Sequence, residues 1–382
     1  MKNSITLTVF LISLFLFSSC KDEKLDVTYE RYSPEDYATL TESLNIDNDL
    51  LDYTFVFPKY YNSRTLAMNS DLATLGRVMF YDLNLSEDRS ISCASCHKQE
   101  LAFADDKAFS DGVSNRTTSR NSLALGAVFN FAEYYGDPND NRIPFFWDNR
   151  ANTVQEQAKQ TFANVDEMNM PMDKVMERVN ELNYYPILFR EAFGDSKVTE
   201  DRVLDAVSEF VNSMSTYESK YDVELDKHYE NNFNLTQIAE ANFSGFSPEE
   251  NLGKSLYINN CGNCHGRING FPGKIEANNG LVMNYDDKGI NETSMFKVPT
   301  LRNIELTGPY MHDGSLETLE EVVDHYSDGI VNHPNLSSEL RNGNQPMHFE
   351  YDQNEKTALI AFLKTFTDQN MLVDERYADP FK

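Results

Sequence analysis

The chain has 382 residues and carries 61 acidic against 33 basic side chains, a formal net charge of −28 at pH 7. This length is enough for two domains with separate cores. The acidic excess argues against nucleic acid or an anionic membrane surface as a partner, and it favours partners with a basic surface.

The first twenty residues have the pattern of an export signal. Lys2 provides a positive start, residues 5–17 are largely apolar, and small residues precede Cys20. We predict that residues 1–20 are a lipoprotein signal peptide and that Cys20 becomes an acylated N-terminus; the alternative is an ordinary secretory signal. No later run reaches the ~20 apolar residues of a membrane-spanning helix. The predicted location is therefore the periplasm or cell envelope, with membrane contact only through the lipid anchor.

Residues 21–66 are acidic and then rich in tyrosine, which predicts a tether followed by an extension. Beyond it, apolar stripes and cap residues predict helices. These cover residues 71–81, 153–162, 171–180 and 200–213 in the first half. In the second half they cover 247–257, which starts with a capping box and leads into the second Cys-x-x-Cys-His motif, 316–326 and 352–366. The segment from 217 to 234 is polar with little periodicity, so we place the boundary between the halves there.

The most informative motif is Cys-x-x-Cys-His, which occurs twice. Two thiols on one helical turn can each bond a vinyl group of one porphyrin, and the following histidine can bind the iron. Three other interpretations of the cysteines fit less well. Zinc sites usually place two cysteine pairs about 12–20 residues apart, and a thioredoxin-like motif needs a βαβ unit. Two disulfides would leave the repeated histidine unexplained. We predict two covalent c-type haems, held by Cys93, Cys96 and His97 and by Cys261, Cys264 and His265.

Each motif follows a predicted helix and precedes a long loop and further helices, which is the plan of a cytochrome c domain. The predicted fold is mainly α, with two cytochrome c-like domains that each wrap one covalent haem within long loops. The first haem domain is predicted over residues 67–220 and the second over residues 221–375.

Three further motifs carry a family resemblance. They are Phe146-Trp147-Asp148-Asn149-Arg150, Val298-Pro299-Thr300-Leu301-Arg302-Asn303 and Gly308-Pro309-Tyr310-Met311-His312-Asp313-Gly314-Ser315. With the two haem motifs they make the chain, over roughly residues 70–370, resemble the bacterial di-haem cytochrome c peroxidase family, which includes the MauG branch.

The resemblance implies that hydrogen peroxide is reduced to water at the first haem. The second haem would relay electrons from a small donor protein such as a cytochrome or a cupredoxin. In the MauG branch the enzyme instead oxidises residues of a partner protein, which is the alternative function. A haem electron carrier or sensor without turnover is a third hypothesis, from a different class.

The resemblance also implies three residues for the peroxide chemistry. Gln157 and Glu167 lie ten and twenty residues after Trp147, as in the family. Glu167 would move a proton between the peroxide oxygens, a role worth ~10²–10⁴ in rate. Alternatively, Glu167 only precedes the next helix, where acidic residues are common. Trp147 would relay electrons between the haems.

Two positions depart from the family's pattern. The histidine that blocks the resting first haem in the peroxidases would fall at Val113, so we expect an open or water-bound first haem that is active without prior reduction. A methionine could instead cap the far side of this haem, and the candidates are Met168, Met170 and Met172, although methionines more often fill gaps in a protein core. The family's glycine after Trp-Asp is Asn149, which leaves the local turn geometry open.

At the second haem, the resemblance implies Tyr326 as the far-side ligand, as in the MauG branch. Met295, Met311 and His312 are rival ligands, and a buried, hydrogen-bonded tyrosine is the alternative role for Tyr326. On the predicted helix, His325 lies off the apolar face that carries Tyr326.

A calcium ion between the domains is implied as well. In the family, an asparagine side chain and the backbone carbonyls of a threonine and a proline bind it. The matching residues are Asn121, Thr307 and Pro309, and oxygen ligands suit calcium.

Overall fold

The computed structural model describes residues 31–61, 65–126, 128, 144–229, 235–268, 270 and 272–382. The fold is mainly helical, and the strands within these residues form three two-stranded antiparallel sheets. The predicted fold class is therefore confirmed. The predicted signal peptide and Cys20 lie outside the described residues. Within those residues, no helix combines the length and the apolar character needed to cross a membrane.

In both halves a helix precedes the Cys-x-x-Cys-His turn and further helices follow it. The helices are α1 Pro34–Ser43, α2 Ser70–Tyr81, α3 Cys93–Cys96, α4 Val154–Ala163, α5 Met172–Glu181, α6 Tyr185–Phe193, α7 Glu200–Ser213, α8 Lys220–Tyr229, α9 Leu235–Glu240, α10 Pro248–Asn260, α11 Gly262–His265, α12 Leu319–Asp324 and α13 Gln353–Lys364. The strand pairs are Phe55–Val56 with Thr65–Leu66, Glu276–Ala277 with Phe296–Lys297, and Arg341–Asn342 with Gln345–Pro346. The helices predicted from periodicity agree with these bounds to within about three residues.

A crossed pair of helices forms the centre of each half. In the first half α2 packs on α7, and in the second half α10 packs on α13. A β-carbon at Gly76 would overlap the Ala206 carbonyl oxygen, and one at Gly253 would overlap the Ala358 carbonyl oxygen. Because both crossings need a glycine for close approach, the two halves repeat the same packing as well as the same motif.

The buried apolar side chains form two main clusters. The first includes Leu75, Phe80 and Phe210, and the second includes Tyr257 and Phe362. The arm from residue 32 to residue 57 packs on the first cluster. The first cluster also contains residues from the end of the chain, which therefore returns to the first half. The predicted domain limits stay a prediction.

The helix α8 lies in the segment that the sequence suggested was an irregular boundary. Its buried face carries two carboxylates, Asp222 and Glu224, beside the apolar Tyr221 and Leu225, which weakens the apolar period. Asp222 is ion-paired with the fully buried Arg302, and Glu224 accepts a hydrogen bond from the backbone N–H of Gly245 at 2.9 Å. Arg302 also donates to the Thr216 carbonyl oxygen at 2.7 Å. Buried polar groups at this junction therefore connect the two halves.

Candidate active site

Both Cys-x-x-Cys-His motifs form a short helical turn. Ser92 and Ser95 make a capping box at the start of α3, and α11 follows α10 directly. The four cysteines within the described part of the chain form no disulfide. Their thiols are thus available for thioether bonds, and the disulfide alternative is not realised.

The two motif histidines are oriented in the same way by a backbone carbonyl. Nδ1 of His97 lies 2.9 Å from the Phe103 oxygen, and Nδ1 of His265 lies 3.0 Å from the Pro299 oxygen. A carbonyl only accepts, so Nδ1 carries the proton and Nε2 keeps a lone pair that is available to bind a haem iron. Burial lowers the pKa of both imidazoles, that of His265 to about 4, so both are neutral at pH 7.

A cavity of about 480 Å³ lies beside the first motif. Its volume falls within the ~300–1,000 Å³ of typical ligand sites. Cys93, Cys96 and His97 line one part of its wall. Two thiols and a neutral imidazole at the wall of a cavity of this size fit a covalently attached haem with one iron ligand from the chain.

The same cavity wall contains Glu167 and Gln157. Asn164 donates to Glu167 Oε1 at 2.6 Å, Gln157 donates to Thr161 Oγ1 at 3.1 Å, and the Thr161 hydroxyl also hydrogen-bonds Glu167. Burial raises the pKa of Glu167 above its ordinary value, although these hydrogen bonds and the nearby Arg150 oppose the shift. A carboxyl with a raised pKa, fixed by polar neighbours at a cavity wall, is suited to proton transfer.

Thr161 and Asn164 were not identified from the sequence. Thr161 lies four residues after Gln157 on α4, so the two side chains share one helix face. That spacing was a usable signal for Thr161. Asn164 follows the end of α4, and only the folded turn brings it to Glu167.

Trp147 lies where the two halves meet. Its indole N–H donates to the Asn121 carbonyl oxygen at 2.9 Å, and its own carbonyl oxygen accepts from the backbone N–H of Lys297 at 2.8 Å. The indole ring also contacts the His312 ring edge-to-face, with 6.4 Å between centroids. Trp147 therefore borders the first cavity while contacting residues of the second half.

The turn after Trp147 tolerates the departure from the family's glycine. Asn149 adopts a φ of +57°, in the left-handed region that asparagine enters more readily than other side chains. The substitution thus keeps the conformation that a glycine would supply.

Val113 is fully buried and is not among the residues that line the cavity. Of the three methionines considered as a cap, Met168 borders the cavity, whereas Met170 and Met172 pack in the first apolar cluster. The state of the first haem's far side stays a prediction.

Tyr326 lies near the second motif. It follows α12 in a π-helical turn, His325–Gly329, and the thiols of Cys261 and Cys264 are close enough to affect it electrostatically. Burial raises the pKa of its phenol, and the side chain of Asn279 hydrogen-bonds it. A bound metal cation would act in the opposite direction on this pKa. Its position near these thiols fits a residue that could contact a haem attached there, and the ligand role itself stays a prediction.

His325 is buried, although the sequence places it off the apolar face of the predicted helix. It is 8% exposed, and its Nε2 lies 3.1 Å from the Asn279 carbonyl oxygen. The π turn places more residues in each turn than an α-helix does, which changes the direction of successive side chains. Among the rival ligands, Met311 accepts from Asn279 Nδ2 at 3.2 Å and borders the first cavity, and His312 stacks on Phe296.

The three residues predicted to bind calcium all border the first cavity: Asn121, Thr307 and Pro309. Asn121 is buried, and its Nδ2 donates to the Lys107 carbonyl oxygen at 3.2 Å. Among the described residues, no cluster of three or more histidine, cysteine or acidic side chains could hold a metal ion. A cation here would therefore depend on amide and carbonyl oxygens.

Comparison with known sequences matches a profile of the di-haem cytochrome c peroxidase family to residues 70–230. The chain is 30% identical over 315 residues to the methylamine utilization protein MauG of Methylorubrum extorquens, which covers 78% of each protein. It is also 30% identical over 314 residues to the cytochrome c551 peroxidase of Nitrosomonas europaea, covering 78% of this chain and 80% of the relative.

Solved structures give the same relation. A MauG-like protein associated with microbial copper homeostasis superimposes with a TM-score of 0.63 at 26% identity, covering 88% of this chain and 99% of that protein. The diheme peroxidase BthA of Burkholderia thailandensis superimposes with a TM-score of 0.62 at 20% identity, covering 87% and 93%. The second likeness is evidence for the fold alone.

Proposed function

Because this chain belongs to the di-haem cytochrome c peroxidase family, an oxidoreductase family with two c-type haems, we propose that it reduces hydrogen peroxide to water. The reaction consumes one peroxide, two protons and two electrons and forms two waters. The observation that carries the proposal is the position of Glu167 in the wall of the cavity that His97 also lines.

The haem held by Cys93, Cys96 and His97 would supply the iron at which the peroxide oxygen–oxygen bond is cleaved. The chain's own contribution is proton transfer and orientation. In its ionised form, Glu167 accepts the proton of one peroxide oxygen and returns it to the other, which leaves as water. Asn164 and Thr161 hold the carboxyl by hydrogen bonds, and Gln157 holds Thr161.

The electrons would enter at the second haem site and pass towards the first, with Trp147 between them. A small donor protein with a basic surface suits the net charge of −28. Steady-state oxidation of a reduced basic cytochrome by peroxide, with the holoprotein as catalyst, tests this function. Peroxide-dependent oxidation supports the proposal, and its absence with any small donor contradicts it.

Oxidation of a partner protein is the second candidate function. Two observations favour it: Tyr326 lies beside Cys261 and Cys264, and Val113 stands where a blocking histidine would be. The relative from Methylorubrum extorquens is named a methylamine utilization protein. Proteins captured by crosslinking to the holoprotein would be treated with peroxide and searched for new oxidations by mass spectrometry. Oxidation that requires the holoprotein supports this alternative.

We further propose export to the periplasm or cell envelope, with acylation of Cys20 as the membrane anchor. The supporting pattern is the charged, apolar and small-residue sequence that ends at Cys20. Metabolic labelling with a fatty acid, compared with a Cys20→Ser variant, tests the anchor.

One calcium ion at Asn121, Thr307 and Pro309 is also proposed, since these residues lie along one cavity wall.

A further inference from the structure

We propose that the loop of residues 111–116 is a brace that positions Glu167, and that Gly112 and Val113 are positioning residues for peroxide cleavage. The inference rests on the proposed role of Glu167 in proton transfer. Its basis is a set of backbone contacts that connect this loop to the Glu167 segment on one side and to the haem-attachment motif on the other.

Gly112 is required by packing and not by its backbone conformation. Its φ of −115° and ψ of −176° are extended values that any residue can adopt. A β-carbon at this position would, however, overlap the Asp166 carbonyl oxygen and lie 3.3 Å from Cα of Glu167. The absence of a side chain therefore lets the two backbones touch immediately before the catalytic carboxyl.

Two hydrogen bonds hold the backbones in this contact. The Val113 N–H donates to the Glu167 carbonyl oxygen at 2.9 Å, and Arg116 Nη1 donates to the Val165 carbonyl oxygen at 2.7 Å. The loop is closed on itself by the Gly112 N–H, which donates to the Arg116 carbonyl oxygen at 2.8 Å. These bonds fix the backbone of residues 165–167 at both ends.

The opposite side of the loop contacts the first haem motif. The Asp111 carbonyl oxygen lies 3.7 Å from Cys96 Sγ, and the Ser114 N–H donates to Asp88 Oδ2 at 2.9 Å. The loop thus spans from an attachment thiol to the backbone of Glu167. Because Cys96 would attach the haem and the loop touches the Glu167 backbone, the loop would set the distance between the attachment point and the carboxyl.

The sharpest variant is Val113→Pro, compared with Val113→Ala. Both lose the valine side chain, but only proline lacks the N–H that donates to Glu167. Proline suits this position otherwise, since Val113 begins a 3₁₀ turn and the preceding Gly112 is extended. The ratio of the two variants isolates the hydrogen bond. Arg116→Ala, at an exposed side chain, removes the other bond without altering the core.

With purified holoproteins, we expect Val113→Pro to react with hydrogen peroxide about ten- to a hundredfold more slowly than Val113→Ala, the effect of a small displacement of a catalytic group. At a pH where peracetic acid is ionised, it should restore most of the rate, because the anion has no proton to lose and its leaving group, acetate, needs none from Glu167. Hydrogen cyanide must lose a proton to bind the haem, so its association, measured by stopped flow without turnover, should slow as with peroxide. Arg116→Ala should show the same pattern with a smaller loss.

Haem content and melting temperature are measured on every variant, and Glu167→Gln is the reference. Equal rates for Val113→Pro and Val113→Ala beside a slow Glu167→Gln would overturn the brace and leave the proposed function standing. An equal loss with both peroxides would also overturn it, because that pattern indicates general damage. A Glu167→Gln variant that reacts like the wild type would instead refute the proposed role of Glu167.

Discussion

The substitution Glu167→Gln is the most direct test of the proposed chemistry. Glutamine keeps the size of the side chain and can keep the hydrogen bonds to Thr161 and Asn164, but it cannot accept and return a proton. General acid–base catalysis is worth ~10²–10⁴ in rate, and each factor of ten corresponds to about 1.36 kcal/mol of activation free energy. The expected loss is therefore about 2.7–5.4 kcal/mol, measured as the second-order rate constant for peroxide by stopped-flow spectroscopy.

The pH dependence of the wild type gives a second, independent readout. Glu167 must be ionised to accept the first proton, so the rate is lost as the pH falls through its pKa. Burial raises that pKa above the ordinary value of 4.5, so the acidic limb should lie above pH 4.5 and should vanish in Glu167→Gln.

The stability of the variant separates chemistry from damage. A carboxyl whose pKa is raised by folding makes the native state bind its proton more tightly than the unfolded state. Its contribution to stability is present at low pH and is lost as the pH rises through the raised pKa. At pH 7, Glu167→Gln should therefore not lower the melting temperature. Glu177→Gln, on the exposed surface of α5, is the matched control and should react like the wild type. A wild-type rate and an unchanged acidic limb in Glu167→Gln would refute the proton-transfer role.

Other substitutions test the remaining parts of the molecule. Tyr326→Phe should change the ferric absorption and electron paramagnetic resonance spectra of the second haem only, and an unaltered spectrum would exclude it as a ligand. Trp147→Phe removes the hydrogen bond to the Asn121 carbonyl oxygen and should slow oxidation of the reduced second haem by peroxide in a single turnover, while leaving haem content intact. Gly253→Ala should cost about 1–3 kcal/mol of unfolding free energy from overpacking at the helix crossing, and unchanged denaturant midpoints would contradict that packing. Removal of calcium with a chelator should slow turnover reversibly, whereas an Asn121→Ala variant should be insensitive to added calcium.

The local elements were largely predictable from sequence because their signals are local. The helix over residues 200–213 was predicted from its apolar stripe with the bounds that it has in the structure. α8 was missed because its inward positions carry Asp222 and Glu224, whose burial depends on partners far away in the chain. The burial of His325 was not predicted, because it depends on a contact with the Asn279 carbonyl oxygen, far away in the chain.

The sequence by itself predicted those parts of the site that depend on the spacing of residues along the chain. Two Cys-x-x-Cys-His motifs predict where two haems attach, and the family resemblance, matched ten and twenty residues after Trp147, predicted Gln157 and Glu167 as site residues. The tertiary structure alone decided what surrounds those residues. The carbonyls that orient His97 and His265, the amide of Asn164 at Glu167, and the brace loop that packs on the Glu167 backbone all come from backbone approaches between segments distant in sequence. A spacing rule records covalent distance along the chain, whereas these contacts depend on how the helices and loops fold together.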